Sequence, residues 1–114
     1  MMLVGCAARS KPAKERALLR ELGGCLSELR NADEPSEPIA SPCGGRDDIA
    51  ALIGIRKSAI ANAMGFPSYQ GNDGWTYSFI RFPANGMWVG GGATLILEFD
   101  ADDRCAKAEW MFGR

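Results

Sequence analysis

The stretch that decides the fold class is WTYSFIRF, residues 75–82. Its aromatic residues Trp75, Tyr77 and Phe79 fall on alternate positions. Because successive side chains of a strand point to opposite faces, this alternation predicts a β-strand with one buried face.

Two further strands are predicted after it. One covers residues 88–99, where TLILEF at 94–99 is its clearest part, and one covers residues 104–112. The runs PANG at 83–86 and DADD at 100–103 are rich in turn-forming residues. Connections this short join antiparallel neighbours, so the pattern predicts a three-stranded antiparallel sheet.

Ahead of the sheet, the apolar spacing becomes that of helices. An N-terminal helix is predicted over 11–30 from one apolar stripe, weakened by roughly 1 kcal/mol for each of the glycines 23 and 24. Two short helices are predicted over 47–52 and 56–64. The expected fold is therefore α+β, with two short helices packed on a three-stranded antiparallel sheet and preceded by an N-terminal helix.

This reading divides the chain into four parts. Residues 1–10 are interpreted as the remnant of a lipidation signal with a tether, and 11–30 as the N-terminal helix. Residues 31–46 contain three prolines and no periodicity, which is typical of a linker. Residues 47–114 form the helix-helix-sheet module.

The composition excludes several kinds of function. The chain has no histidine, which removes Ser-His-Asp triads, Cys-His pairs and His-ligated zinc. A net charge of −1 lacks the basic excess of a nucleic-acid binder. We therefore expect no enzyme, no catalytic residue, no cofactor, no metal, no small-molecule substrate and no nucleic-acid partner.

The tetrapeptide LVGC at residues 3–6 has the form of a lipobox, at which signal peptides of bacterial lipoproteins are cut. In those proteins the cysteine is then acylated, so Cys6 is the predicted lipidation site, with a palmitate-like chain as membrane anchor. A working signal has a basic segment and roughly 7–15 apolar residues before the cysteine. Only five residues precede Cys6 and none of them is basic, so we expect that the start has been assigned too late or that the upstream part was removed.

The other cysteines, Cys25, Cys43 and Cys105, would form one disulfide in an exported protein. All three pairings are open. We favour Cys43–Cys105, because it would join the two halves of the module. A disulfide between Cys25 and Cys43 would instead link the N-terminal helix to the next helix.

Three motifs in order resemble the SmpA/OmlA (BamE-like) family of outer-membrane lipoproteins. LIGIRKSAI at 52–60 with AMGFP at 63–67 is similar to its "L-x-x-G … L-G-x-P" segment. WTYSF at 75–79 is similar to its "W-x-Y-x-F" strand, and LILEFD at 95–100 to its "L-x-L-x-F-D/N" strand. The N-terminal helix, the linker and the cysteines depart from the family pattern.

The resemblance implies a non-catalytic lipoprotein of the bacterial cell envelope, in the outer membrane and facing the periplasm. Such a protein would act through an envelope protein partner and support outer-membrane assembly or envelope integrity. The alternative is a secreted or periplasmic inhibitor of a hydrolase, which would use the aromatic hairpin around Trp88 to plug a cleft.

Candidate partner-binding residues cluster around the predicted hairpin after the first strand. Aromatic residues and methionine on a loop suit a contact surface, and an arginine suits a carboxylate or phosphate. The opposing interpretation places Trp88 in the core. The candidates are Arg81, Phe82, Met87 and Trp88, with Phe66 and Tyr69 extending the same surface.

Overall fold

A computed structural model describes residues 2–33, 35, 37–72, 74–81 and 92–112, with side chains described from residue 13 onwards. A 3-10 helix (Ile49–Leu52) lies between the first strand and the second α-helix. The helices and strands in chain order are α1 (Met2–Asn31), β1 (Ile39–Ala40), α2 (Lys57–Met64), β2 (Tyr69–Gln70), β3 (Gly74–Ser78), β4 (Ile80–Arg81), β5 (Ala93–Phe99) and β6 (Cys105–Phe112).

The predicted α+β class is confirmed, but the prediction of three strands is wrong. The main antiparallel sheet has four strands in the order β2-β3-β5-β6, and β1 pairs with β4 in a separate two-stranded sheet. The missed strands β1 and β2 have two residues each, and the strand predicted over 75–82 is divided into β3 and the two-residue β4. A segment that short shows no alternation, so only its pairing partner reveals it.

Helix α1 is longer than predicted. It begins at Met2 and continues without a break through Gly23 and Gly24 to Asn31. From residue 13 onwards its first buried side chain is Leu18, and the residues before it gave periodicity little signal. The segment interpreted as a tether, residues 2–10, has a helical backbone.

The hydrophobic core draws on both helices and on one face of the sheet. Leu22, Leu52 and Ile60 from the helical segments and Phe79, Leu95 and Leu97 from the sheet side are each fully buried. The apolar stripe of α1 is thus part of the same core as the helix-helix-sheet module.

The disulfide joins Cys25 and Cys43, 18 residues apart, and the favoured pairing of Cys43 with Cys105 is wrong. Cys105 is a buried free thiol at the start of β6. Its backbone N–H donates to Ile55 O at 2.8 Å, and its carbonyl accepts from Gly54 N–H at 2.7 Å. Cys105 thus lies against the segment between the 3-10 helix and α2, whereas Cys43 lies beside α1, within reach of Cys25.

The two α-helices touch through their backbones at Gly23. A Cβ atom built on Gly23 would lie 2.1 Å from the carbonyl oxygen of Ala63 on α2. No side chain fits in that distance, so the helix pair requires glycine there. Gly24, by contrast, has no atom within 4 Å of such a Cβ.

We expect Gly23→Ala to destabilise the protein by about 1–3 kcal/mol, because the helices must separate. Gly24→Ala is the matched control. It should raise the free energy of unfolding by up to about 1 kcal/mol, since alanine is the better helix former. Urea denaturation of both variants would measure this, and equal effects of the two alanines would contradict the close approach.

The disulfide gives a second prediction. Closing an 18-residue loop should contribute about 3 kcal/mol, so reduction should lower the free energy of unfolding by that amount. The Cys105→Ala variant should remain equally sensitive to reductant. If Cys105→Ala abolished the effect of the reductant instead, Cys105 would be the bonded cysteine.

Candidate binding groove

A groove of about 490 Å³ opens where the C-terminal ends of α1 and α2 meet strands β3 and β4. Its apolar surface comes from Leu26, Leu29, Tyr77, Ile80 and Phe66. Its polar surface comes from Arg30, Arg81, Ser68 and Ser78. This volume falls in the range of small-ligand and side-chain binding sites.

Arg81 closes the C-terminus of α1. Its Nη1 donates to the carbonyl oxygens of Leu29 at 2.7 Å and Arg30 at 3.1 Å, and also to that of Ala32. The last carbonyls of a helix have no partner within the helix. A cation at this end is also favoured by the helix dipole.

Arg30 caps the C-terminus of α2 in the same way. It lies in the last turn of α1, and its Nη2 donates to the carbonyl oxygens of Met64 at 2.9 Å and Phe66 at 3.3 Å. A Cβ on Gly65 would lie 2.8 Å from Arg30 Nη1, and Gly65 has a φ of +81°. Glycine therefore permits both the turn after α2 and the approach of the guanidinium.

Tyr77 forms the bottom of the groove between the helices and β3. It is buried, and its hydroxyl donates to Gly65 O at 2.8 Å. Burial raises the pKa of Tyr77 to about 12, and the nearby positive charge of Arg30 opposes this rise. The phenol thus stays a neutral donor that fixes the loop after α2.

The structure brings two of the sequence-predicted contact residues together. Phe66 and Arg81 line the same groove, and Phe66 is 82% exposed. Tyr69 is also exposed, at 66%, but it lies on β2 opposite Thr76 and does not line the groove. The candidates Phe82, Met87 and Trp88 lie outside the described residues.

Sequence reasoning missed the contribution of α1 to this site. Leu26, Leu29 and Arg30 were visible only as part of a helix stripe and its last turn. The one available signal was a basic residue at a helix C-terminus, which commonly caps carbonyls. Nothing in the sequence indicated that Arg30 would cap a different helix.

Several other charged groups of the described chain are engaged in ion pairs or turns. Arg46 bonds Glu21 and Asp48, each at 2.6 Å. Lys57 lies 3.5 Å from Asp103 and over the rings of Trp75 and Phe99, at 5.5 and 4.8 Å from their centroids. The Asp100 carboxylate accepts the N–H groups of Asp102 and Arg104, which makes this acidic run a hairpin turn.

Comparison with known protein families, curated proteins and solved structures finds no match to this chain. The resemblance to the SmpA/OmlA family therefore stays a prediction, and so does the lipidation of Cys6. Among the described residues, no helix has the length and apolarity needed to cross a membrane. None of their acidic and cysteine side chains form a cluster that could hold a metal ion.

The chain has two tyrosines, so a Tyr69→Phe variant reports on Tyr77 alone. Its phenolic absorbance should titrate with a midpoint near pH 12, because burial disfavours the phenolate. Because the pKa of Tyr77 is higher in the folded protein, the unfolded chain loses the phenolic proton at a lower pH than the folded protein does. Stability from Tyr77 is thus complete below pH 10 and is lost between about pH 10 and 12. A midpoint near 10 would contradict the burial of this phenol.

Proposed function

We propose that the protein is a non-catalytic lipoprotein of the bacterial cell envelope, held at the outer membrane by lipid on Cys6 and facing the periplasm. It acts through contacts with a partner protein and supports outer-membrane assembly or envelope integrity. The order of the three family-like motifs suggests this role, and the groove supplies the contact surface.

The observation that carries the binding function is the placement of Phe66. This large aromatic side chain stands 82% exposed beside a groove, where folding gains nothing from it. Aromatic side chains and arginines dominate the binding energy of protein interfaces. Phe66 with Arg30 and Arg81 matches that composition.

The disulfide supports the proposed location in the periplasm. The bond between Cys25 and Cys43 joins α1 to the segment that packs beside it. Structural disulfides persist in oxidising compartments, such as the bacterial periplasm, and are rare in a reducing cytosol. A lipid anchor on Cys6 would place the helix and its disulfide on the periplasmic side.

The lipid and the partner can be tested in one experiment. We express the gene with its upstream region, crosslink intact cells and compare wild type with Phe66→Ala and Tyr69→Ala. We expect an acylated Cys6 by mass spectrometry and one crosslinked envelope protein. Phe66→Ala should weaken capture by about tenfold or more, since a central aromatic anchor is lost. Tyr69→Ala removes another exposed aromatic side chain, which lies outside the groove, and should leave capture unchanged.

Two results would count against the proposal. An unacylated, soluble product from the complete gene would remove the lipoprotein assignment. Capture of a single secreted hydrolase that depends on Trp88 rather than Phe66 would favour the inhibitor alternative. As a folding control, neither Phe66→Ala nor Tyr69→Ala should change the free energy of unfolding by more than about 0.5 kcal/mol, because both side chains are exposed.

A further inference from the structure

The groove carries an unbalanced positive charge. Among the residues that the structure describes, its lining includes Arg30 and Arg81 and no carboxylate. In the described part of the chain, neither arginine forms an ion pair, whereas Arg46, Lys57 and Lys107 all do. The two helix C-termini at the groove offset about half a charge each, which leaves a surplus of about +1.

The geometry of the two arginines leaves donors for a ligand. Within the described residues, their hydrogen bonds use only Nη2 of Arg30 and only Nη1 of Arg81. A guanidinium has five N–H groups in a planar fork that matches a carboxylate. The helix-end carbonyls already hold both guanidinium groups in place. Binding of a carboxylate would therefore cost little additional side-chain entropy.

The rest of the groove fits an apolar side chain on a peptide backbone. Leu26, Leu29 and Ile80 supply an apolar surface beside the arginines, with Phe66 at the rim. Strand β2 pairs with β3 only at Trp75 and Thr76. Beyond them, Ser78 N–H is held by the Ser68 hydroxyl at 3.3 Å. The Ser68 hydroxyl accepts in this bond and so still has its O–H to donate to a peptide carbonyl, a hydrogen bond that an acyl chain could not use.

We infer that the groove binds the C-terminus of a partner peptide, with the terminal carboxylate on Arg30 and Arg81 and an apolar last side chain against Leu26, Leu29, Ile80 and Phe66. This inference rests on the proposed function in protein–protein contact and names the chemistry of the contact. One carboxylate matches a surplus of one positive charge, and one apolar side chain matches the apolar surface.

Titration with defined probes tests the inference on the purified full chain. The first probe is a short N-acetylated peptide that ends in Ala-Ala-Phe with a free carboxylate, and the second is the same peptide as its C-terminal amide. In nitrogen-15 correlation spectra, the acid should shift the signals of Arg30, Ser68, Ser78 and Arg81. It should bind about tenfold tighter than the amide, because charge-assisted hydrogen bonds are lost with the carboxylate.

Phe66→Ala should weaken binding of the acid peptide about tenfold, and Tyr69→Ala should not change it. Both variants should retain the wild-type far-ultraviolet circular dichroism, which shows that they are folded. Three outcomes would overturn the inference: equal affinity for acid and amide, signal shifts confined to other surfaces, or tighter binding of decanoate than of the acid peptide at the same residues.

The result separates this inference from the proposed function. If neither peptide binds while crosslinking to an envelope protein still depends on Phe66, the terminal-carboxylate chemistry is wrong and the contact function stands. If the peptide binds as expected but no envelope protein is captured, the groove chemistry is right and the proposed envelope role fails.

Discussion

The contact between α1 and α2 at Gly23 is the constraint on which the rest of the molecule depends. Because the backbones touch there, the separation of the two helices is fixed by a peptide carbonyl rather than by flexible side chains. The spacing brings the C-terminal ends of both helices to the same edge of the sheet. It also places Arg30, about two helical turns beyond the contact, within reach of the last carbonyl of α2.

The same two arginines stabilise the fold and form the groove. The last four carbonyl groups of a helix have no partner within the helix and are costly to leave without donors. Arg30 and Arg81 supply donors to three such carbonyls, on Leu29, Arg30 and Met64, each from a different element than the helix it caps. The positive charge of the groove is therefore a consequence of how the helices end, and the same capping bonds hold both guanidinium groups at the groove.

The sequence predicts the parts of this fold in which apolar residues recur at a regular spacing. β3, β5 and β6, the position of α2 and the α+β class follow from alternation, apolar spacing and turn residues. The two-residue strands β1 and β2 and the pairing of Cys25 with Cys43 do not, because they depend on which segments meet in space. For the same reason Phe66 and Arg81 could be named as contact residues from exposure and chemistry, while Arg30 could not.

The position of α1 bears on how the chain relates to the family it resembles. The three family-like motifs lie within residues 52–100, yet Leu18, Leu22 and Leu26 of α1 belong to the same core as those motifs. Helix α1 also supplies Leu26, Leu29 and Arg30 to the groove. The disulfide fixes this helix to the chain that follows it. If the motif-bearing segment is a shared scaffold, the feature that gives this protein its own binding chemistry is the helix outside that segment.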